Sequence, residues 1–428
     1  MGVHDVNAWR FGRRQTLGVL FGILGVMLVG YVAPNLDAAD KGLAFEPPPD
    51  PLKLVVDPAT TVTTIGIIFV LAAVATFFER RSRRVASGGL ILSTILFIPL
   101  VIVLALALSQ ARETNVMQLV VESLRLGTPI ALGSMAGLWC ERSGVVNIGI
   151  EGMMLMSAGT GFMTYAVVGD ASSTSALWLA VLVAILTGGL MALLHAWLSV
   201  TFRVDQIISG VVINLLALGV TGFIRSEVIV DTGISTGVAT GKIALPLLSD
   251  IPILGPQLFT NKPIFFAMFV VVGMTAWVLF RTPFGLRVRA VGEHPHATET
   301  LGIDPIRIRY LAVVIGGLIA GLAGAWFSLE SQAGFQDNMT NGAGFIALAA
   351  LIFGKWRPFT AFAGAMLFGF TRALGSRLQI LNVTIGDFAI PSEFLQALPY
   401  VVTIIVVAGA VGRALAPAAD GIPYERSR

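Results

Sequence analysis

Three polar side chains set among apolar residues are the places where this chain could do chemistry. Asn147 and Glu151 are four residues apart in VNIGIEGM, a spacing that a helix turns into one face. Asn214 lies in the middle of SGVVINLLALG, with Gln206 and Ser209 toward one end. Burying such groups is costly unless they are hydrogen-bonded, so each marks a polar path or a structural tie. Glu151 either lines or gates a path, or braces a broken helix through N–H groups exposed at Gly149 and Gly152; the brace is the preferred reading. Asn214 reads equally as a cavity-lining amide or as glue between helices. His195, near Leu194 and Trp197, has no second ligand at metal spacing and reads as a packed histidine. Glu330, Gln332, Asp337, Asn338 and Asn341 follow an apolar run and read first as a solvated loop.

Catalytic patterns are missing. Gly241-Lys242 is followed by Ile and Gly354-Lys355 by Trp, so neither completes a phosphate-binding G-x-x-x-x-G-K-[ST] loop. H-E-x-x-H is also absent, and no nucleophile has a base at a recognisable spacing. The single cysteine, Cys140, excludes an intrachain disulfide and reads as a small apolar residue near a helix end.

The elements that must position these residues are membrane helices. Of 428 residues, 55% are hydrophobic and 12% charged, with a mean hydropathy of +0.83; ordinary soluble domains carry about 25% charged residues. Many runs reach the roughly 20 apolar residues a bilayer-spanning helix needs, and the alternating segments of a membrane barrel are absent. The net charge is only +3 and its basic residues sit at loops, which sets topology and argues against nucleic-acid binding.

Arg10, Arg13 and Arg14 precede a first span at 16–33, read as uncleaved although Ala38-Ala39-Asp40 loosely resembles a processing site. The proline-rich stretch 34–59 reads as an external loop. Spans at 60–78 and 87–108 flank the basic run Glu79–Arg84. Nine further apolar segments run at about 123–140, 145–167, 175–201, 205–224, 263–281, 309–329, 341–354, 359–377 and 394–412; those at 145–167 and 341–354 are candidates for broken or re-entrant helices. The expected fold is an all-α polytopic membrane protein of about 12 transmembrane helices with both termini cytoplasmic, because that count puts nearly all arginine-bearing loops on one side. Arg225, Arg372 and Arg377 are the exceptions, read as snorkelling side chains. Gly317 with Gly321 forms a small-xxx-small pair suited to close helix packing.

Between two spans, residues 281–309 form a polar segment with local punctuation. Pro295 suits the first turn of a short helix and Gly302 its stop, and Asp304-Pro305 reads as an N-cap opening a long helix. Arg281, Arg287, Arg289, Arg307 and Arg309 put the segment on the cytoplasmic side. A short helix on such a loop suits docking of a soluble partner.

The wording of this segment, TPFGLRVRAVGEHPHATETLGI followed by GGLIAGLAGA, resembles the coupling segment of bacterial ABC importer permeases. The resemblance is to the branch that carries simple sugars, nucleosides and branched-chain amino acids, and within it to guanosine-type permeases. ERSGVVNIGIEGMMLMSAG at 141–159 and ALIFGKWRP at 350–358 agree, so about 300 residues from near Val121 to Arg413 fit. The resemblance implies three regions: an N-terminal extension over 1–115 with about three helices, outside the family pattern; a permease core over 116–415; and a cytoplasmic tail over 416–428. It implies a multi-pass protein of the bacterial plasma membrane that is not itself an enzyme. A separate ATPase, carrying ATP and Mg, would dock on a coupling loop that includes Gly285, Arg287, Arg289, Gly292, Glu293, Ala297 and Gly302. Individual arginines there could equally serve topology or lipid headgroups. Further implied partners are a second permease subunit, identical or related, and an extracytoplasmic substrate-binding lipoprotein. The expected substrate is a nucleoside, then a simple sugar. Asn147, Glu151, Asn214 and Phe345 are the candidate path residues, with Phe335 or Phe345 able to stack on a base. An ion-coupled secondary transporter is the rival of a different class; it needs buried ionisable pairs, and Glu151 alone is thin support.

Overall fold

The computed structural model describes residues 13–36, 40–45, 53–78, 83–108, 113–168, 174–230, 239–252, 254–380 and 414–426, with scattered positions between 384 and 397. The chain divides into two compact units, Met1–Val120 with Leu374–Gly412, and Val121–Ala373 with Arg413–Arg428. Seven of the described helices are long and apolar enough to cross a membrane, and the chain is an all-α polytopic membrane protein.

The first unit contains α1 (Arg13–Met27), α2 (Pro58–Phe77) and α3 (Arg83–Ala107), matching the three expected N-terminal spans. α2 begins at Asp57 because its carboxylate accepts the N–H groups of Ala59 and Thr60 while Pro58 fills the first helical position. Phe21 meets Phe69 edge to face at 5.0 Å, within an apolar cluster of Leu28, Val62, Ile65, Phe69, Leu100 and Val103. Within the stretch 34–59, read as an external loop, the described residues include two short strands. β1 (Lys41–Ala44) pairs antiparallel with β2 (Lys53–Val56) and parallel with β3 (Glu113–Asn115). These strands are three or four residues long, too short for alternation to be visible in the sequence.

Most of α4 (Val116–Arg142) and the greater part of α14 (Pro358–Ile380) belong to the second unit. Between them come α5 (Ile150–Val168), α6 (Thr174–Ala196) and α7 (Gln206–Ile224). A small β4–β5 ribbon (Ile243–Ala244 and Thr260–Asn261) brackets α8 (Gly255–Leu258) and precedes α9 (Pro263–Arg281). Then follow α10 (Pro283–Glu293), α11 (Pro295–Thr300), α12 (Pro305–Ala325) and α13 (Ala343–Phe353). α12 runs on as a π-helical turn, Trp326–Ser331. α5 is apolar all round and buried along most of its length, packed by α6, α7, α12 and α13, as a helix without a polar face must be.

Two elements differ from the sequence expectation. The helix read over 145–167 starts only at Ile150, because α4 ends in a left-handed turn at Gly144 (φ +86°) and 145–149 stays non-helical. Asn147 therefore precedes α5 and does not share a helical face with Glu151. The segment read as 341–354 is the 11-residue α13, preceded by an irregular stretch with positive φ at Ala333, Asn338, Asn341 and Gly342. The span read at 394–412, apart from residues 394 and 397, Asp170 and residues 79–82 lie outside the described residues.

α6 crosses α12 at Gly188, Gly317 and Gly321, where a Cβ on Gly317 would overlap the Ala192 methyl and the Gly188 carbonyl. Apolar packing gives helices little reason to associate in lipid, so backbone proximity at small residues supplies the attraction. Gly317→Leu should therefore destabilise the protein by about 1–3 kcal/mol or more through overpacking. Gly219→Leu, at a glycine with no neighbour within 4 Å, should shift stability by about 0.5 kcal/mol at most. Thermal unfolding in detergent compares the two, and equal effects would contradict the close crossing.

Candidate functional site

The non-helical stretch between α4 and α5 is buried, so its backbone groups need partners from within the protein. α6 and α7 supply them. Gln206 Oε1 accepts the Val146 N–H at 2.6 Å, and His195 Nε2 lies 3.0 Å from the Val146 carbonyl. A carbonyl only accepts, so Nε2 carries the proton and Nδ1 takes the Ser209 hydroxyl at 3.0 Å. Asn214 bridges the start of α5: its Nδ2 donates to the Ile148 carbonyl at 3.1 Å and its Oδ1 accepts the Gly152 N–H at 2.7 Å. Gly152 permits this, because a Cβ there would stand 2.7 Å from the Ile213 carbonyl. The fully buried Asn147 places its Nδ2 at 3.4 Å from Cys140 Sγ and 3.6 Å from Met153 Sδ, while its Oδ1 has no partner among the described residues.

Glu151 is tied elsewhere. Its Oε1 accepts the Thr340 hydroxyl at 2.7 Å and the Gly342 N–H at 2.8 Å, and its Oε2 accepts the Gly344 N–H at 2.6 Å. The carboxylate thus caps the positive N-terminus of α13, a short helix that begins inside the protein. The N–H groups it braces belong to α13 rather than to the Gly149–Gly152 stretch, where Asn214 takes the Gly152 N–H. Gly344 is needed for the contact, since a Cβ would come within 2.6 Å of the Glu151 backbone. Phe335 is buried, close to Gly159, while Phe345 on α13 is 48% exposed.

Glu330 repeats the device. It is 2% exposed and accepts the N–H groups of Ile264 (2.6 Å) and Phe265 (3.0 Å), capping α9. The solvated-loop reading fails for this residue, whose N–H partners are 66 and 65 positions away and invisible locally. Gln332, Asp337, Asn338 and Asn341 are exposed. Asp337 pairs with Arg225 at 2.5 Å, which accounts for one of the exceptional arginines.

The arginine-rich segment is folded as its punctuation predicts. Thr282 caps α10 through Gly285 N–H at 3.2 Å, Gly302 stops α11 with φ +79°, and Asp304 caps α12 through Ile306 and Arg307. Gly285 lies against the Val278 and Leu279 backbone, and Gly292 against the Arg142 carbonyl. Arg289 is structural: its Nε donates to the Leu279 carbonyl at 2.9 Å and its guanidinium lies 5.0 Å over the Phe280 ring. Arg287 is exposed and lines a groove with Leu301, Asp304 and Arg307. Glu293 faces Arg142 at 3.8 Å. Ala297 on α11 and Leu301 just after it are exposed, Leu301 by 78%.

The three motif stretches of the sequence converge here. The Trp356 indole donates to Glu141 Oε2 at 2.5 Å, and the Trp356 carbonyl accepts Arg142 at 2.7 and 3.0 Å. Nothing in the local sequence announces this meeting of residues 141–142, 292 and 356, or the packing of the C-terminal residues beside them.

A family model described as "Branched-chain amino acid transport system / permease component" matches residues 119–407. Guanosine ABC transporter permease protein NupQ of Bacillus subtilis (strain 168) is 39% identical over 312 residues, covering 72% of this chain and 96% of that protein. Nucleoside ABC transporter permease protein NupC of Lactococcus lactis subsp. cremoris (strain MG1363) is 38% identical, covering 73% and 99%. A putative glucose ABC transporter permease protein, TsgC13 of Haloferax volcanii, is 34% identical, covering 68% and 91%. No solved structure matches the chain significantly.

Each buried helix N-terminus left without its cap costs about 1–3 kcal/mol per orphaned group. Glu151→Ala, which orphans two N–H groups and a hydroxyl, should lower stability by a few kcal/mol, and Glu151→Gln by less because one acceptor oxygen remains. Thermal unfolding in detergent reads the order; an alanine variant as stable as the parent would mean that the cap is not formed.

Proposed function

Because the chain belongs to the family of branched-chain amino acid transport system permease components, we propose that it is the transmembrane subunit of an ATP-driven importer whose substrate is a nucleoside. The observation that supports this reading most is the exposed α11 held on a rigid α10–α12 frame, the shape a soluble ATPase can grip. The chain has no phosphate-binding loop of its own, so ATP and Mg belong to that partner. The substrate assignment rests on the printed names of the guanosine and nucleoside permeases, 38–39% identical to this chain. The glucose relative at 34% identity supports a simple sugar as the second reading.

The mechanism follows from what is fastened to what. Closure of the ATPase pair would displace α11 and carry α12 with it. α12 is in backbone contact with α6 and packs on α5, and Glu151 fastens α5 to α13. A push on the cytoplasmic side thus reaches the buried N-terminus of α13 through packed and hydrogen-bonded elements, the kind of rigid-body switch that alternating access needs. On this reading both termini are cytoplasmic, about 12 helices span the plasma membrane, and residues 1–115 are an accessory extension to the permease core. A second permease subunit would face the exposed side of α13 that carries Phe345, and a lipoprotein on the outer side would deliver substrate. Asn147, whose carbonyl oxygen has no partner among the described residues, is the best remaining candidate to meet substrate. Glu151 and Asn214 act on the path through the helices they fix.

Proteoliposomes containing this chain, its permease partner, the ATPase and the binding protein test the proposal. ATP without an ion gradient should drive uptake of labelled guanosine, and unlabelled nucleosides should compete while glucose does not. Competition by glucose alone would favour the sugar reading. Uptake that ignores ATP and follows a proton or sodium gradient would overturn the ATP-driven account.

A further inference from the structure

The C-terminal residues fold back over the arginine-rich segment. Pro417, Ala419 and Tyr424 are buried, and Gly421 turns the chain with φ +75°. The Ala419 N–H donates to the Gly292 carbonyl at 2.9 Å, and the Ala418 N–H to Glu293 Oε2 at 3.2 Å, so the tail is stitched to the end of α10. Tyr424 packs its ring on His296 of α11 at 5.1 Å. Arg426 reaches Glu299 of α11 at 3.2 Å and Asp304, the cap of α12, at 3.5 Å. Glu425 pairs with Arg203, beyond α6, at 2.5 Å.

The centre of this arrangement is Arg309, the fifth residue of α12 and 1% exposed. Its Nε donates to the Ser143 carbonyl at 3.2 Å, its Nη1 to Ile422 at 3.0 Å and its Nη2 to Ala419 at 3.5 Å. Two of its three carbonyl acceptors come from the tail. Asp420 supplies the nearby negative charge, and burial pushes its carboxyl up to about 7 against the pull of Arg309. A guanidinium buried this deeply needs those partners. The tail therefore completes a joint among the α4–α5 turn, α10, α11 and the base of α12.

We propose that residues 417–426 are a strap that holds α11 rigidly against α12, so that displacement of α11 by the ATPase moves the membrane helices instead of being absorbed by the loop. The strap rests on the importer reading, and it adds a positioning element outside the segment that the ATPase itself would touch. Two contacts act directly on a helix of only six residues, Tyr424 on His296 and Arg426 on Glu299, while the stitch to Gly292 and Glu293 and the Arg426–Asp304 pair hold the elements on either side of it. Such redundancy suits a part that transmits force.

The test uses the complete transporter in proteoliposomes, comparing the unaltered chain, a chain ending at Ala416, and a His296→Cys/Tyr424→Cys pair joined or not by a short thiol cross-linker. The native cysteine, Cys140, is buried and does not compete. The readout is substrate moved per ATP hydrolysed, alongside co-purification of the ATPase. Truncation should leave the ATPase bound and hydrolysing while transport per ATP falls at least tenfold. The unlinked cysteine pair should fall severalfold, and cross-linking should restore it. Unchanged coupling in the truncated chain would overturn the strap, as would a truncated chain that no longer accumulates in the membrane together with a cysteine pair indifferent to the cross-linker. No ATP-driven uptake by the unaltered chain would instead remove the importer reading, and the strap's role with it.

Discussion

Backbone that is not helical inside a membrane protein has no water to bond, and that constraint governs the permease core of this chain. Among the described residues, the core has buried non-helical backbone before α5 and before α13. Each interruption exposes N–H and C=O groups, and each is closed by side chains from other helices. Gln206, His195 and Asn214 serve the first, and Glu151 serves the second. Two of the polar residues that look most like substrate ligands in the sequence, Glu151 and Asn214, are occupied with this work.

The interruptions also link elements that would otherwise move independently. Asn214 fixes α7 to the start of α5, and Glu151 fixes α5 to α13. Glycines at the α6–α12 and α5–α7 crossings bring backbones so near that one helix cannot shift without its neighbour. An importer driven from outside the membrane needs such stiffness. Force applied at α11 has to arrive at the core before it is dissipated, and the buried Arg309 joint lies at the point of entry. Glu330 does the corresponding job at the other end of α12, holding α9 by its N-terminus.

What could be read from the sequence is what is local. Pro295, Gly302 and Asp304-Pro305 mark their helix ends by their own backbone chemistry, and the structure has those ends where the residues put them. The three N-terminal spans and the Gly317–Gly321 crossing were legible for the same reason. Relationships across the chain were not. Glu151 and the Gly344 N–H are 193 positions apart, and no periodicity connects them. Asn147 looked helical because VNIGIEGM has the right spacing, but the left-handed turn at Gly144 delays the helix until Ile150. The sequence marks 416–428 only as a tail, because its partners on α10, α11 and α12 are more than a hundred positions away.

The central claim is that the break before α13 is sealed by Glu151 from within the protein. Hydrogen exchange of the assembled transporter in lipid nanodiscs, followed in peptides spanning 340–346, tests it most directly. The account predicts protection comparable with the interior of α5, and its loss when Glu151 is replaced by Ala. Exchange of this segment in the unaltered chain as fast as in an exposed loop would contradict it.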